Sequence, residues 1–592
     1  MKEIEKKEAL TLEMVLGLLV TSIIPFLMYL HLYDPQLGQY DWFSTQADTT
    51  DFFLYIKMCA ITVVGICMLG ILIFYGIKKK INFKLPVIYS FLGGYLLLAI
   101  LSAVFSINRD FSLKGSYEQF EPAPVLIAYG IINIFSYYFI CNINKIKKFI
   151  NIWSVSVLIL CVIGTLQFIG NDPLSTNIIK RLMTPRQYWD KIEQIQLVTE
   201  SNRTYLTFFN PNYVGLFTSF TIPIFLVLLI KEQSKKRKLM NTFILAGLII
   251  CTIGSRSKNT IIAVILPLIL IFIILRKYWM KHLKVVAIGA LLSLTLIFGI
   301  NAYGGNIFGR SIIQAFQIEN SEPLLQKIDL SKDGIVLKFS KSQCLIDYTL
   351  NPDNTFFFNI TDEQGNEVTY HYDSENNKLI LDGEEYFNTT VMPIYLEDIF
   401  GISINISGKN WIFTKDTDGN YKYYNGVHKW TTMKQAKTVH FFPERLFTGR
   451  GYVWNRTIPL LKETIFLGKG PDNFILSYPQ DDYVSNYNQG YENTVVTKPH
   501  NLYLQTGVET GVISLVCFLV FYLLYFIKSI KLYWKCHFES EIQIYGLAIF
   551  MGTIGFMISS LVNDSTVCVS PIFWAIWGIG IRINYEMKHD VI

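Results

Sequence analysis

Residues 52–80 read FFLYIKMCAITVVGICMLGILIFYGIKKK, a long apolar run closed by the triplet Lys78–Lys80. About 20 apolar residues wound as a helix cross the hydrocarbon core of a bilayer, and a cluster of ammonium groups cannot follow them into lipid. The same pattern recurs along the chain. Runs at 11–31, 52–77, 85–105, 122–141, 149–170, 213–230, 239–254, 260–276, 285–303, 504–527, 542–562 and 571–585 predict twelve membrane-spanning helices. Composition agrees: of 592 residues, 51% are hydrophobic and 17% charged, against about 25% charged in soluble domains.

The loops orient these helices. Lys78–Lys80 with Lys84, then Lys145, Lys147 and Lys148, then Lys235–Lys238 around Arg237, then Arg276, Lys277 and Lys281, then Lys528 and Lys531 fall on alternate loops, whereas 32–51 and 563–570 hold no Lys or Arg. Basic residues are retained on the cytoplasmic side. Both termini are therefore expected in the cytoplasm, with the loops 171–212 and 304–500 outside. The net charge of +6 belongs to this topology and does not point to nucleic acid. Most of the nine Cys lie in apolar runs, without a disulfide framework or a zinc-like spacing. The first run has no small-residue cleavage site and reads as a retained helix.

Three parts follow: 1–303 with helices 1–9, 304–500 as a large external loop, and 501–592 with helices 10–12. Within the loop, 325–430 ("TFFFNITDEQGNEVTY", "KLILDGEEYF", "GISINISG") alternates apolar and polar residues and breaks at Gly, Asn and Asp, the pattern of a β-rich insert. Helical spacing returns over 445–500.

Candidate chemistry concentrates at a few places. In "KPHNLYLQTGVETGVISLV" (498–516), Asn501, Gln505 and Glu509 share one helix face, and His500 precedes them. A polar stripe ending in an acid must look into the bundle or a wet cavity, and His is suited to take a proton near neutral pH. An interfacial His that only caps the helix is the plainer alternative. "GSRS" (254–257) ends a run of about 15 apolar residues, somewhat short for a crossing, which puts Arg256, with Lys258, at a broken helix where anions bind; both could instead snorkel to headgroups. In "TGRGYVWNRT" (448–457) Arg450 and Trp454 share a face, suited to phosphate and sugar or to ordinary packing. "NPN" (210–212) offers Asn210 and Asn212, although turn initiation alone explains it. Arg203 lies in the basic outer stretch 171–212. "GKGPDNF" (468–474) lacks the spacing of a P-loop, and Asp472 is placed to cap the helix after it.

Taken in order on this topology, "NPN", "GSRS", "TGR" with a following Trp, "GKGPDNF" and "PHNLYLQTGVETGVISL" resemble the O-antigen ligase and Wzy polymerase family of bacterial membrane glycosyltransferases. The resemblance covers most of 200–303 and 445–525, and leaves the insert at 325–430 outside. It implies an all-α polytopic, GT-C-like fold and an inverting transferase with no metal or other cofactor. The donor it implies is a glycan on undecaprenyl pyrophosphate. The acceptor would be a lipid, wall polymer, protein or glycan, met among membrane lipids at the outer face. It assigns His500 as base and Arg256 and Arg450 as pyrophosphate ligands; Asn501 and Glu509 would orient the site or bind sugar, and Gln505, Trp454, Asn210, Asn212, Arg203 and Lys258 are further candidates around the substrate. A transporter or flippase of envelope glycolipids is the alternative for twelve helices, but carriers show two related halves, and here one loop of nearly 200 residues sits between helices 9 and 10.

Overall fold

The computed structural model describes residues 10–44, 48–81, 84–197, 202–257, 259–303, 305–306, 323–351 and 355–589. In chain order its helices are α1 (Leu12–Leu18), α2 (Tyr55–Ile77), α3 (Ile88–Val104), α4 (Arg109–Lys114), α5 (Ala123–Phe139), α6 (Ile143–Phe168), α7 (Asn177–Leu182), α8 (Pro211–Lys231), α9 (Lys235–Ser255), α10 (Asn259–Ile274), α11 (Arg276–Lys281) and α12 (Leu283–Tyr303). After the strands come α13 (Arg450–Thr457), α14 (Phe474–Ser477), α15 (Tyr483–Asn488), α16 (Leu502–Glu509), α17 (Val512–Trp534), α18 (Glu541–Ser559) and α19 (Ser570–His589).

A helix stands at each stretch read as a span. Six of them (α2, α6, α8, α9, α17 and α18) are long and apolar enough to cross a membrane, and shorter apolar helices lie at Leu12–Phe26, Ile88–Val104, Ala123–Phe139 and Ile262–Ile274. On α2, Val63, Ile66, Ile73 and Phe74 are each more than half exposed, a face suited to lipid.

Two runs depart from a single straight helix. The first passes from α1 into a π turn (Leu19–Ile23) and a 3₁₀ turn (Ile24–Phe26) before becoming extended at Leu27; Pro25 brings no N–H to a continuing helix. The tenth is broken at Gly511 (φ +105°) into α16 and α17. The carbonyls freed by the break find donors in the preceding loop. Thr464 Oγ1 donates to Gly507 O at 2.8 Å, and the N–H groups of Lys469 and Gly470 donate to Val508 O and Glu509 O at 2.9 Å. In return, the N–H of Val512 donates to Thr464 O. "GKG" is thus a backbone clamp on a broken helix, which accounts for its glycines without a phosphate.

Close helix contacts set the positions of the remaining loops. A Cβ on Gly555 of α18 would lie 2.0 Å from Ser219 O on α8, and one on Gly578 of α19 would lie 2.2 Å from Asn133 O on α5; small residues allow such backbone approach. Asn133 Nδ2 adds a hydrogen bond to Trp574 O. Lys57, within the run quoted first, is fully buried and donates to the carbonyls of Leu27, Phe53 and Thr207 at 2.7–2.9 Å. Its three N–H groups fasten the end of the first helical segment, the start of α2 and the approach to α8.

The chain between 325 and 431 forms two antiparallel meanders, as its alternation predicts. One has the order β3 (Leu325–Leu330), β4 (Ile335–Phe339), β5 (Gln343–Leu350), β6 (Phe356–Asp362). The other runs from β7 (Tyr370–Asp373) through β8 (Lys378–Leu381), β9 (Thr390–Leu396), β10 (Ile399–Ile406), β11 (Lys409–Lys415) and β12 (Tyr421–Tyr424) to β13 (Trp430–Thr431). A short pair, β1 (His31–Tyr33) and β2 (Thr49–Asp51), precedes α2. Inward residues of both meanders, Leu337, Ile346, Ile404 and Phe413 among them, share one apolar core with Val484 of α15. Asn488 Nδ2 bonds to Leu325 O at 2.8 Å, so the strands are fastened to the segment that leads into residue 500.

Replacing Gly468 by Ala places a Cβ 2.1 Å from Glu509 O, against backbone that cannot rotate away. A loss of about 1–3 kcal/mol is expected, read as a lower Tm of the purified protein in detergent; an unchanged Tm would show that the clamp does not fix the break.

Candidate active site

The site is built on the N-terminus of α16. Asn501 caps it: Oδ1 accepts from the N–H groups of Tyr503 and Leu504, while Nδ2 donates to Leu561 O at 2.8 Å. His500, one residue earlier, holds a left-handed backbone (φ +52°), a conformation that costs a non-glycine residue free energy and collects at functional sites. Arg256, Glu118 and Asp472 share it, as do Phe447 and Thr448 just before Arg450.

Asp564, on the loop between α18 and α19, organises the two residues. It is 2% exposed; Oδ2 lies 2.9 Å from His500 Nδ1, and Oδ1 accepts the Asn501 N–H at 3.1 Å. Burial would raise this carboxyl, but His500, Lys498 and Arg450 outweigh it and hold Asp564 below the usual range. An ionised carboxylate only accepts, so Nδ1 carries a proton, and in the neutral ring the free lone pair is on Nε2. The His500 side chain is 38% exposed. The Trp454 indole N–H donates to Pro499 O at 2.9 Å, and the Leu502 N–H donates to Ser560 O and Asn563 O. The peptide around His500 is held from three sides.

Arg450 begins α13 and is 7% exposed. Its Nη1 donates to Phe447 O at 3.1 Å, and its buried Nε has no partner among the described residues. A buried guanidinium donor without an acceptor is costly and suits an anion. Lys498 is 3% exposed and donates to Tyr213 OH at 2.9 Å. Asp564 and Glu121 favour its charged form. Glu118 lies in the same field: burial raises its carboxyl, and the charge of Lys498 opposes that.

Arg256 ends α9, and its turn joins the region through α8. A Cβ on Gly215 of α8 would lie 2.3 Å from Ser257 Oγ, two residues from the Tyr213 that meets Lys498. Ile262 of α10 lines a cavity of about 340 Å³ with Phe447, Trp454, Asn501, Leu504 and Leu561. Arg203 Nε donates to Ser255 O at 3.4 Å, beside the same turn. Lys258 lies outside the described residues. Asp564 bonds to His500 and lies in the field of Arg450, whereas Arg256 stands on the turn whose Ser257 packs against Gly215 of α8.

Gln505 and Glu509 face inward, both 3% exposed, and one oxygen of each is engaged: Gln505 Oε1 accepts the Ser565 N–H, and Glu509 Oε1 accepts from Gln119 Nε2 at 2.7 Å. The hollow they share with Tyr95, Glu121 and Tyr129 has room for about 30 Å³, the scale of a water and far below that of a sugar. They brace the site's loops. Asn501 likewise orients His500: its Oδ1 is taken by two N–H groups, while Nδ2 keeps one donor beside the cavity. Asn210 caps α8 by accepting the Asn212 N–H, the role turn chemistry gives it; Asn212, half-buried on the first turn, contributes that N–H. Asp472 does not cap α14 but accepts the N–H groups of Ser116 and Glu121. Asp564 and Lys498 were not singled out from sequence. Lys498 adjoins the His500 motif, but a lone Asp in a short loop carries no spacing signal.

Comparison with protein families comes next. Residues 401–519 match the family described as O-antigen ligase. The match supports the O-antigen ligase and Wzy family for this chain and a membrane ligase or polymerase role. It takes in Arg450, Trp454, the GKG clamp and His500. It begins within β10, so part of the strand region expected to lie outside the shared pattern is included, while "NPN" and "GSRS" precede it. No curated protein and no solved structure matches.

Burial and the nearby carboxylate network leave Glu121 raised to about 7 from an ordinary 4.5, and Asp472 to about 8. A carboxyl raised on folding contributes stability below the unfolded value that is lost as pH rises through the folded one. Glu121→Gln should therefore lose less Tm than the wild type between pH 5 and pH 8; parallel Tm curves would refute this.

Proposed function

We propose that this chain is a bacterial membrane glycosyltransferase that moves a saccharide from undecaprenyl pyrophosphate to an acceptor hydroxyl at the outer face of the cytoplasmic membrane. In this reading it acts in surface polysaccharide assembly as a ligase or polymerase. Twelve helices cross the bilayer, both termini are cytoplasmic, and residues 304–500 are outside. The observation that carries the reading is the His500–Asp564 pair, 2.9 Å apart, beside a buried arginine and an apolar cavity.

The chemistry follows from these positions. The acceptor oxygen attacks the anomeric carbon while the bond from that carbon to the pyrophosphate oxygen breaks. The hydroxyl proton passes to His500 Nε2. Asp564 keeps the ring in the tautomer that accepts it and stabilises the imidazolium that forms. The bond's electron pair leaves with the pyrophosphate, whose charge is met by Arg450 and Arg256 through forked hydrogen bonds, with Lys498 adding to the field. A single displacement of this kind inverts the anomeric centre and needs no metal, since guanidinium groups take the leaving charge. The cavity of about 340 Å³ beside Trp454 suits the first part of the polyprenyl chain.

His500→Ala should abolish transfer from the lipid carrier while the protein still folds and inserts; full transfer would remove His500 as the base. Asp564→Asn should cost about a hundredfold or more in kcat and also lower Tm, because it takes the buried counter-charge from Lys498 and Arg450; wild-type kcat in this variant would remove the pair. Arg256→Lys should be nearly as damaging as Arg256→Ala, because a point charge does not replace a fork; wild-type activity in the lysine variant would reduce Arg256 to a headgroup contact.

A further inference from the structure

Beside the site, on loops the reaction above does not use, runs a row of half-buried aromatic rings. Tyr40 and Trp42 stack with centroids 5.1 Å apart, Trp42 meets Phe43 edge-on at 6.1 Å, and Phe43 meets Tyr117 at 5.6 Å. They rest on a small separate core of Leu37, Phe111 and Ile475, which fixes the rings without covering them. At one end, Tyr117 packs on the same small core as Val495, five residues before His500, and is followed by Glu118, whose carboxyl lies in the field of Lys498. At the other end the row is tied to the strand region. Lys429 Nζ donates to the carbonyls of Gly38 and Tyr40, Asn425 Nδ2 to Asp41 O at 2.7 Å, and Thr431 Oγ1 to Asp41 Oδ2 at 3.0 Å. The row continues there in Tyr424 and Trp430, 4.9 Å apart and half-buried.

We infer that this row, from Trp430 through Tyr40, Trp42 and Phe43 to Tyr117, is a binding track for a saccharide chain of several residues whose end reaches His500. The inference rests on the glycosyltransferase reading. Pyranose rings present an apolar face of C–H groups that packs on aromatic rings, while their hydroxyls need polar neighbours; this row alternates rings with Asp41, Lys429 and Glu118. A lipid tail would press hydrocarbon against those charged groups, and the mainly apolar cavity by Trp454 already suits one. Ring-to-ring spacings match successive sugars in a chain. The track also gives the strand region a task, since its hydrogen bonds hold the loop that carries three of the rings.

Trp42→Ala and Tyr117→Ala, with Trp42→Phe as the conservative control, test it in the full-length protein. The probes are lipid-linked saccharides extracted from cells carrying His500→Ala, fractionated into single-repeat and long forms. Two assays are run: KM against donor length, and acceptance of long saccharides as acceptors with a single-repeat donor. Trp42→Ala should raise KM about tenfold for long chains, the scale of one lost stacking contact, in whichever assay uses the track, which also tells donor chain from acceptor chain. Single-repeat kcat should be unchanged, Trp42→Phe near wild type, and surface glycans shorter. A response in neither assay, or an equal loss on short and long saccharides as a collapsed loop would give, overturns the track. Activity surviving in His500→Ala overturns the reading beneath it instead; a dead His500→Ala with an indifferent Trp42→Ala removes the track alone.

Discussion

One buried carboxylate holds the functional region together. Asp564 spends one oxygen on the His500 ring and the other on the Asn501 N–H, so the same charge orients an imidazole and anchors the start of a helix. Removed from water, a carboxylate stays ionised only where cations and donors surround it, and here His500, Lys498 and Arg450 supply them. The arrangement is reciprocal. Lys498 and Arg450 are tolerable in this buried setting because Asp564 is there.

The second constraint is the break between α16 and α17. A continuous helix from 502 to 534 would hold residues 507–509 within its own ladder. Interrupting it releases their carbonyls to the loop 464–470, and a short helix is free to carry Asn501 and His500 at its N-terminus. Glycines at 468 and 511 make the approach possible. Comparable close packing at Gly555 and Gly578 sets α18 against α8 and α19 against α5, and with them the loop that carries Asp564. Site geometry is therefore inherited from helix packing well away from it.

The strand region is not an appendage. Its core includes Val484, and its edge grips the loop 38–41, so it touches both segments that approach the site from outside the bundle. The family match beginning at residue 401 fits a structure in which strands and site form one continuous piece of chain.

Long apolar runs, their basic punctuation and the alternation over 325–430 depend on periodicity and solvent preference, which are local properties. Sequence alone therefore determined where the helices and strands lie, and that His500, Arg450 and Trp454 belong to helix starts and faces. It did not reveal that Glu509 and Gln505 serve as braces, because a polar stripe looks the same whether it meets a sugar or a neighbouring loop. Nor could it single out Asp564, which acts on His500 across 64 positions of chain. Such partners are chosen by packing, and only the tertiary structure decides which distant loop delivers a charge to a given ring.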